Sequence, residues 1–226
     1  MRRLLRCSLP LLLAAWLAAC APGEVAGPER HHGHHRFDSA AKWAEEFEDP
    51  ARDVWQRPDT VLARLELAPD MVVADIGSAT GYFPVRIARA VPDGRVYGID
   101  IEPDMVRYLN ERAAAEGLKN LESVLGTPDD PRIPEAVDLV LLVDTYHHIT
   151  KRSEYFRALT RRLAPGGRVA IVDFKLGELP VGPSDAMKIP PDRVIEELSA
   201  AGYRVMVDDR ALLPYQFVLI FASPGS

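Results

Sequence analysis

The residues with the most chemical meaning sit at one turn. Val72-Val73-Ala74-Asp75 is an apolar run ending in an acid, Gly77-Ser78-Ala79-Thr80-Gly81 is a short loop bracketed by glycines, and a helical pattern begins at Tyr82-Phe83. A strand, a tight loop and a helix N-terminus follow from that order. Gly77 and Gly81 permit backbone angles and close approaches that a side chain blocks. A ligand can therefore lie against the main chain and the first helical turn. A second acid, Asp100, lies 19 residues past Gly81 and closes the next apolar run, Val96-Tyr97-Gly98-Ile99. A carboxylate at that place can accept both hydroxyls of a ribose, so the pair of strand ends reads as a nucleoside site.

The dinucleotide fingerprint G-x-G-x-x-G does not fit, because the spacing here is Gly77-x-x-x-Gly81 with Ala79 between. The stretch Asp75 to Gly81 instead resembles the first motif of the class I S-adenosylmethionine-dependent methyltransferases, roughly D-x-G-x-G-x-G, with Ala79 replacing the middle glycine. Leu163-Ala164-Pro165-Gly166-Gly167, ahead of a fifth strand, is a second landmark of that family, and the likeness runs from Met71 to Phe221. The resemblance implies S-adenosyl-L-methionine as cofactor. It also implies roles for residues. Asp75, Gly77, Ser78, Ala79 and Gly81 face the amino-acid part and the nearby ribose. Asp100 takes the ribose hydroxyls, Ile101 packs on the adenine, and Asp129 or Asp130 meets the adenine amino group. Capping or solvent exposure is the competing reading for that last pair.

The fourth strand end, Asp144-Thr145-Tyr146-His147-His148, is the most polar in the chain, and in the family this position borders cofactor and substrate. Asp144 is placed with the cofactor residues. Methyl transfer is a direct displacement, so positioning dominates. A base is needed only where the acceptor must lose a proton, and His148 or His147 has the ordinary pKa for it, with His148 preferred. Tyr146 is a candidate for orienting the acceptor through its hydroxyl.

The elements that must hold these residues alternate. Strand signals at 72–75, 96–100, 121–125, 137–143 and 168–173 alternate with helical patterns at about 83–91, 103–116, 151–163 and 192–201, and two strands close the set near 203–207 and 217–221. Such alternation predicts an α/β fold: a Rossmann-like doubly wound sheet of seven strands, mostly parallel. The family resemblance adds one antiparallel strand beside the fifth. Phe37 to Leu67 reads as helical, interrupted at Asp49-Pro50 and opened again as a further helix at Pro58, a cap over 37–70 ahead of a methyltransferase-like domain at 71–226. Trp55 in that cap is suited either to stacking on a ligand or to packing.

Residues 1–19 read as a targeting segment. Arg2, Arg3 and Arg6 precede an apolar stretch too short to span a bilayer, and Leu17-Ala18-Ala19-Cys20 resembles a bacterial lipoprotein signal in which Cys20 carries lipid. Residues 20–36 then read as a tether containing His31-His32-Gly33-His34-His35, taken as solvated and not as a metal site. The expected place is the cell envelope, facing the periplasm or exterior, or the cytoplasm if the signal is not used. The cofactor is made in the cytosol, so an exported copy has a supply problem. A non-catalytic binding or regulatory protein that keeps the pocket is therefore the alternative function. The two cysteines, Cys7 and Cys20, both precede the folded region, which excludes a cysteine nucleophile, a zinc-thiolate site and thiol-bound arsenic chemistry there. The formal net charge of −6 grows more negative when the leader's three arginines leave. That disfavours nucleic acid and anionic lipid surfaces, and a small-molecule acceptor is the expected partner.

Overall fold

Pro58, Pro84, Pro103 and Pro191 all lie in first helical turns, where a missing N–H costs nothing. These turns punctuate the chain as its pattern predicts. A computed structural model describes residues 39–225. The leader, Cys20 and the His31–His35 cluster lie outside the described residues.

The cap is three short helices, α1 (Ala40–Phe47), α2 (Ala51–Gln56) and α3 (Pro58–Leu65), with the break after α1 at Asp49-Pro50 and the new start at Pro58 where the pattern places them. Arg57 and Glu66, both with positive φ, end the second and third. The sheet then runs β1 (Val72–Ile76), β2 (Arg95–Asp100), β3 (Leu121–Leu125), β4 (Val137–Val143), β5 (Leu163–Phe174), β6 (Arg204–Asp209) and β7 (Gln216–Ala222). Between them lie α4 (Tyr82–Ala90), α5 (Pro103–Ala115), α6 (Arg152–Leu159) and α7 (Pro191–Ala200). The order across the sheet is β3-β2-β1-β4-β5-β7-β6. The first five strands pair in parallel, and β7 is antiparallel to both β5 and β6.

Right-handed crossovers running in opposite directions from the centre put helices on opposite faces. Residues of α3, α4 and α5 share one core with Val73, Leu139, Leu141 and Val172. Residues of α6 and α7 share the other with Ala74, Val140, Leu142 and Ile171. β4 is buried along both faces, as its unbroken apolar run requires. The order reverses between β1 and β4, and in sheets of this kind ligands bind outside the carboxyl ends of the strands at that point.

One local expectation fails. The sixth helix stops at Leu159, a 3-10 turn covers Thr160–Arg162, and β5 starts at Leu163. Pro165-Gly166-Gly167 is therefore no helix stop but part of an irregularity inside the strand, where Leu163 pairs with Val137 and Arg168 pairs with Leu139. Gly166 has positive φ, which lets the extra residues loop out.

Candidate active site

Backbone hydrogen bonds fix the glycine loop first. The N–H groups of Gly77 and Ser78 both donate to Ile99 O, at 2.8 and 3.1 Å, and Gly81 N–H closes the turn on Ser78 O at 2.9 Å. A Cβ built on Gly77 would come within 2.2 Å of Thr145 Oγ1, and its φ of +79° disfavours any side chain as well. Glycine there keeps the first loop and the fourth strand end in contact. Ala79 also sits at positive φ, where the family motif carries glycine. The alanine accepts that strain, and its N–H donates to Asp100 Oδ2 at 2.9 Å.

Asp100 thus ties the two strand ends together. Its other oxygen accepts Glu102 N–H at 3.0 Å. The Ile101 N–H is a third backbone donor to this carboxylate. Burial pushes Asp100 above the usual carboxylate range, against the pull of its backbone donors. Beside it Ile101 is 42% exposed, and Leu125, at the neighbouring end of β3, is 39% exposed. Two large apolar side chains are thus left in solvent near a buried carboxylate, which is the mix of surfaces a nucleoside needs. Leu125 was not singled out by sequence. Asp130 is spent on its own turn, where its carboxylate accepts Arg132 N–H at 2.8 Å. Asp129 is exposed and pairs with Lys151 at 3.3 Å.

Asp75 is buried and well above its ordinary pKa, chiefly from burial, with the Arg52 charge pulling it back. Arg52 comes from α2 and lies 3.9 Å from Asp144. Its guanidinium also stacks 4.0 Å from the Tyr82 ring centroid. Gln56 Oε1 accepts from Arg52 at 3.3 and 3.2 Å, and Gln56 Nε2 donates to Gln216 Oε1 at 2.6 Å. Gln216 Nε2 donates in turn to Asp144 Oδ1 at 2.6 Å. Asp144 has left the strand with φ +54°. Burial and the nearby Asp173 charge push its carboxyl up to about 7, opposed by Arg52, Gln216 and His147.

The strand end after Asp144 differs from expectation. Tyr146–His148 is a 3-10 turn, so adjacent residues no longer alternate between two faces. Tyr146 is fully buried, and its hydroxyl donates to Glu197 Oε2 at 2.6 Å. It packs on Phe156 with ring centroids 5.4 Å apart. It is a core residue and does not orient an acceptor. The His147 imidazole is buried and meets both oxygens of Asp173, Nδ1 lying 2.9 and 3.0 Å away. Burial opposes charge on His147, but the Asp173 hydrogen bond and the charges of Asp173 and Asp144 carry its pKa upward. His148, the preferred base, is exposed, with its ring centroid 4.2 Å from that of His147. Asp173 was legible only as the end of strand five. Arg52, Gln56 and Gln216 were not chosen at all, although Gln216 is the one polar residue in an apolar strand.

Three aromatic rings gather at the carboxyl end of β5. Trp55, half-buried, packs on Phe174 and Tyr215, with ring centroids 5.9 and 6.2 Å apart. Among the described residues no cluster of His, Cys, Asp and Glu is arranged to hold a metal ion.

A methyltransferase-domain family profile matches residues 67–201, more than half of the chain. The chain belongs to that family. A solved S-adenosylmethionine-dependent methyltransferase from Aquifex aeolicus is 28% identical, with a TM-score of 0.75, over 82% of this chain and 98% of that one. An arsenite methyltransferase of Halobacterium salinarum is 35% identical over 47% of this chain and 28% of its own length. A 27-O-demethylrifamycin SV methyltransferase of Amycolatopsis mediterranei is 29% identical over 69% of this chain and 55% of its own length. The chain thus spans about a quarter to about half of these curated relatives. The domain is a class I methyltransferase domain, with S-adenosylmethionine as its cofactor.

Proposed function

We propose that this protein transfers a methyl group from S-adenosylmethionine to a small, partly apolar acceptor, and that the acceptor sits at the carboxyl ends of β4 and β5. The observation that carries this reading is the convergence there of Asp144, the buried His147–Asp173 pair and the Trp55–Phe174–Tyr215 wall. The bound cofactor supplies an electrophilic methyl group. The residues of this chain orient the acceptor, exclude water and hold the charge at the strand ends. Because the described fold contains no cysteine, the acceptor is not captured by protein thiolates. The acidic net charge supports a small molecule over a nucleic acid. We further propose that the leader ending at Leu17-Ala18-Ala19-Cys20 directs export and that Cys20 carries the lipid anchor.

The test is incubation of the purified protein with methyl-labelled S-adenosylmethionine and three fractions of host extract: small molecules, RNA and protein. Label is expected in the small-molecule fraction. Label confined to RNA or protein, or in none of the three, overturns the proposal.

A further inference from the structure

Two large apolar side chains on the carboxyl edge of the sheet have no use in the site described above. Val54 is 77% exposed and Leu176 is 53% exposed. Ile101 and Leu125, also exposed on that edge, belong to the nucleoside surface. Val54 lies on α2, whose Asp53 holds Tyr82 past the end of β1 and whose Arg52 faces Asp144 past the end of β4. Leu176 follows the end of β5 by two residues. Among the described residues the comparable apolar side chain away from this edge is Met206, on the edge strand β6.

The segment after Leu176 is held outward. Leu179, Pro180, Val181 and Pro183 follow in it, and all four are at least partly exposed. Lys188, its side chain 2% exposed, closes the base of this loop. Its Nζ donates to Gly177 O at 2.6 Å and to Asp185 Oδ1 at 2.9 Å. The same Asp185 oxygen accepts Gly177 N–H at 3.0 Å. Gly182 seats against the Phe174 ring, where a Cβ would come within 2.5 Å of Cε1. The apolar tip is thereby fixed at the surface. Apolar side chains gathered in water are unfavourable until something covers them.

The way the chain enters the fold points to the cover. Ala40, at the start of α1, donates its N–H to Asp104 Oδ2 at 2.7 Å, and Asp104 lies in the first turn of α5, just past β2. The N-terminal segment therefore joins the fold at the carboxyl edge. Ser39 is 19 residues past Cys20. That length reaches at most about 65 Å when fully extended. A domain of this size is roughly 40 Å across. Turning the amino edge to a bilayer would use up most of the reach in passing round the fold. Turning the carboxyl edge to it uses little.

We propose that the carboxyl edge docks on the phospholipid bilayer that holds Cys20, with Val54, Leu176 and the 179–181 tip entering its apolar boundary. The docking rests on the export and lipid anchoring proposed above. The contact is apolar and not electrostatic. Glu178 and Asp185 on the loop are exposed, and its cations, Lys175 and Lys188, are engaged with backbone carbonyls. A few apolar side chains bind a bilayer weakly from solution. Once the anchor holds the chain there, the contact is intramolecular and its effective concentration is high, so a weak face suffices. The carboxyl ends of β4 and β5, where the acceptor is proposed to sit, then face lipid.

The folded region has no cysteine, so once Cys20 carries lipid an introduced thiol is the single free one. The experiment reconstitutes the mature lipidated chain from its own host in phosphatidylcholine vesicles, with an environment-sensitive fluorophore on Val54→Cys, Leu176→Cys, Met206→Cys or Arg161→Cys. Arg161 is exposed in the 3-10 turn before β5, at the amino edge. All four positions are exposed, and circular dichroism checks that each variant keeps its fold. Labels at 54 and 176 should shift to the blue and be quenched by spin-labelled lipid at least about threefold more than labels at 206 and 161. Salt at about 0.5 M should leave that contrast in place. Equal quenching at all four positions, strongest quenching at 161, or a contrast lost in salt overturns the apolar face. A shift that needs no vesicles and grows with protein concentration assigns the edge to a second copy and overturns it too. Mass spectrometry of the same protein reads the anchor separately. No lipid on Cys20 overturns the anchoring and this docking with it, whereas labels left in water on a chain that carries lipid overturn the docking alone.

Discussion

His147 and His148 are neighbours with opposite environments, and the difference is a matter of partners. His147 is fastened by a bidentate contact to Asp173, itself 1% exposed and also accepting Phe174 N–H at 2.8 Å. Removing the imidazole leaves a buried carboxylate short of its counter-charge. His147→Ala should therefore cost about 2–4 kcal/mol in chemical denaturation, and His148→Ala distinctly less. Equal losses would contradict the pairing. Sequence favoured His148 because both histidines have the same ordinary pKa and nothing in the chain marks which one folds inward. Asp100 was legible for the opposite reason, since its role follows from its distance to a glycine loop. Its replacement by alanine should weaken S-adenosylhomocysteine binding by about 1.5–3 kcal/mol, measured by calorimetry with the fold checked by circular dichroism. An unchanged dissociation constant in a folded variant would remove it from the site.

At the scale of elements, the strands were legible and the irregular joints were not. Apolar runs of period two or unbroken burial locate β1 to β4 within a residue or so, and proline marks where helices begin. The start of β5 was misplaced because Pro-Gly-Gly signals a break without saying whether a helix or a strand contains it. The cap's polar fastening was equally hidden. Glu48 of the α1–α2 turn accepts Thr80 Oγ1 at 2.8 Å and pairs with Arg112 at 2.7 Å, while Asp53 of α2 holds Tyr82 and Arg86. These contacts join positions 29 to 64 residues apart, beyond any local pattern. The contact between the glycine loop and the fourth strand end makes a sharper prediction. Gly77→Ala adds a Cβ against Thr145 at positive φ. It should lower stability by about 1–3 kcal/mol and abolish detectable S-adenosylhomocysteine binding. A thermal scan and a titration of the same sample check both. Wild-type values in the two measurements would show that the loop tolerates a side chain.

At the scale of the molecule, the carboxyl edge of the sheet gathers Asp75, Asp100, Asp144 and Asp173 around few cations. Asp75, Asp100 and Asp144 are held above the ordinary carboxylate range. A raised folded pKa contributes stability that is present below the unfolded value near 4 and lost as pH rises through the folded value. For Asp144 that window runs from about pH 4 to about 7. Asp144→Asn should therefore stabilise the ligand-free protein at pH 8 by roughly 1–3 kcal/mol, with little gain at pH 4. The fold gives up stability to hold an ionised carboxylate at that strand end above neutral pH. Residues 1–19 carry the remaining proposal: mass spectrometry of protein from its own host should find a mature chain starting at lipidated Cys20. An unmodified Met1 would refute export and anchoring together. The central claim is that this edge is a working cofactor site. Its most direct measurement is calorimetric titration of the purified wild-type protein with S-adenosylmethionine and S-adenosylhomocysteine at pH 8. Saturable binding of both, one molecule per chain and competing for one site, is the predicted result; no heat of binding from either would contradict it.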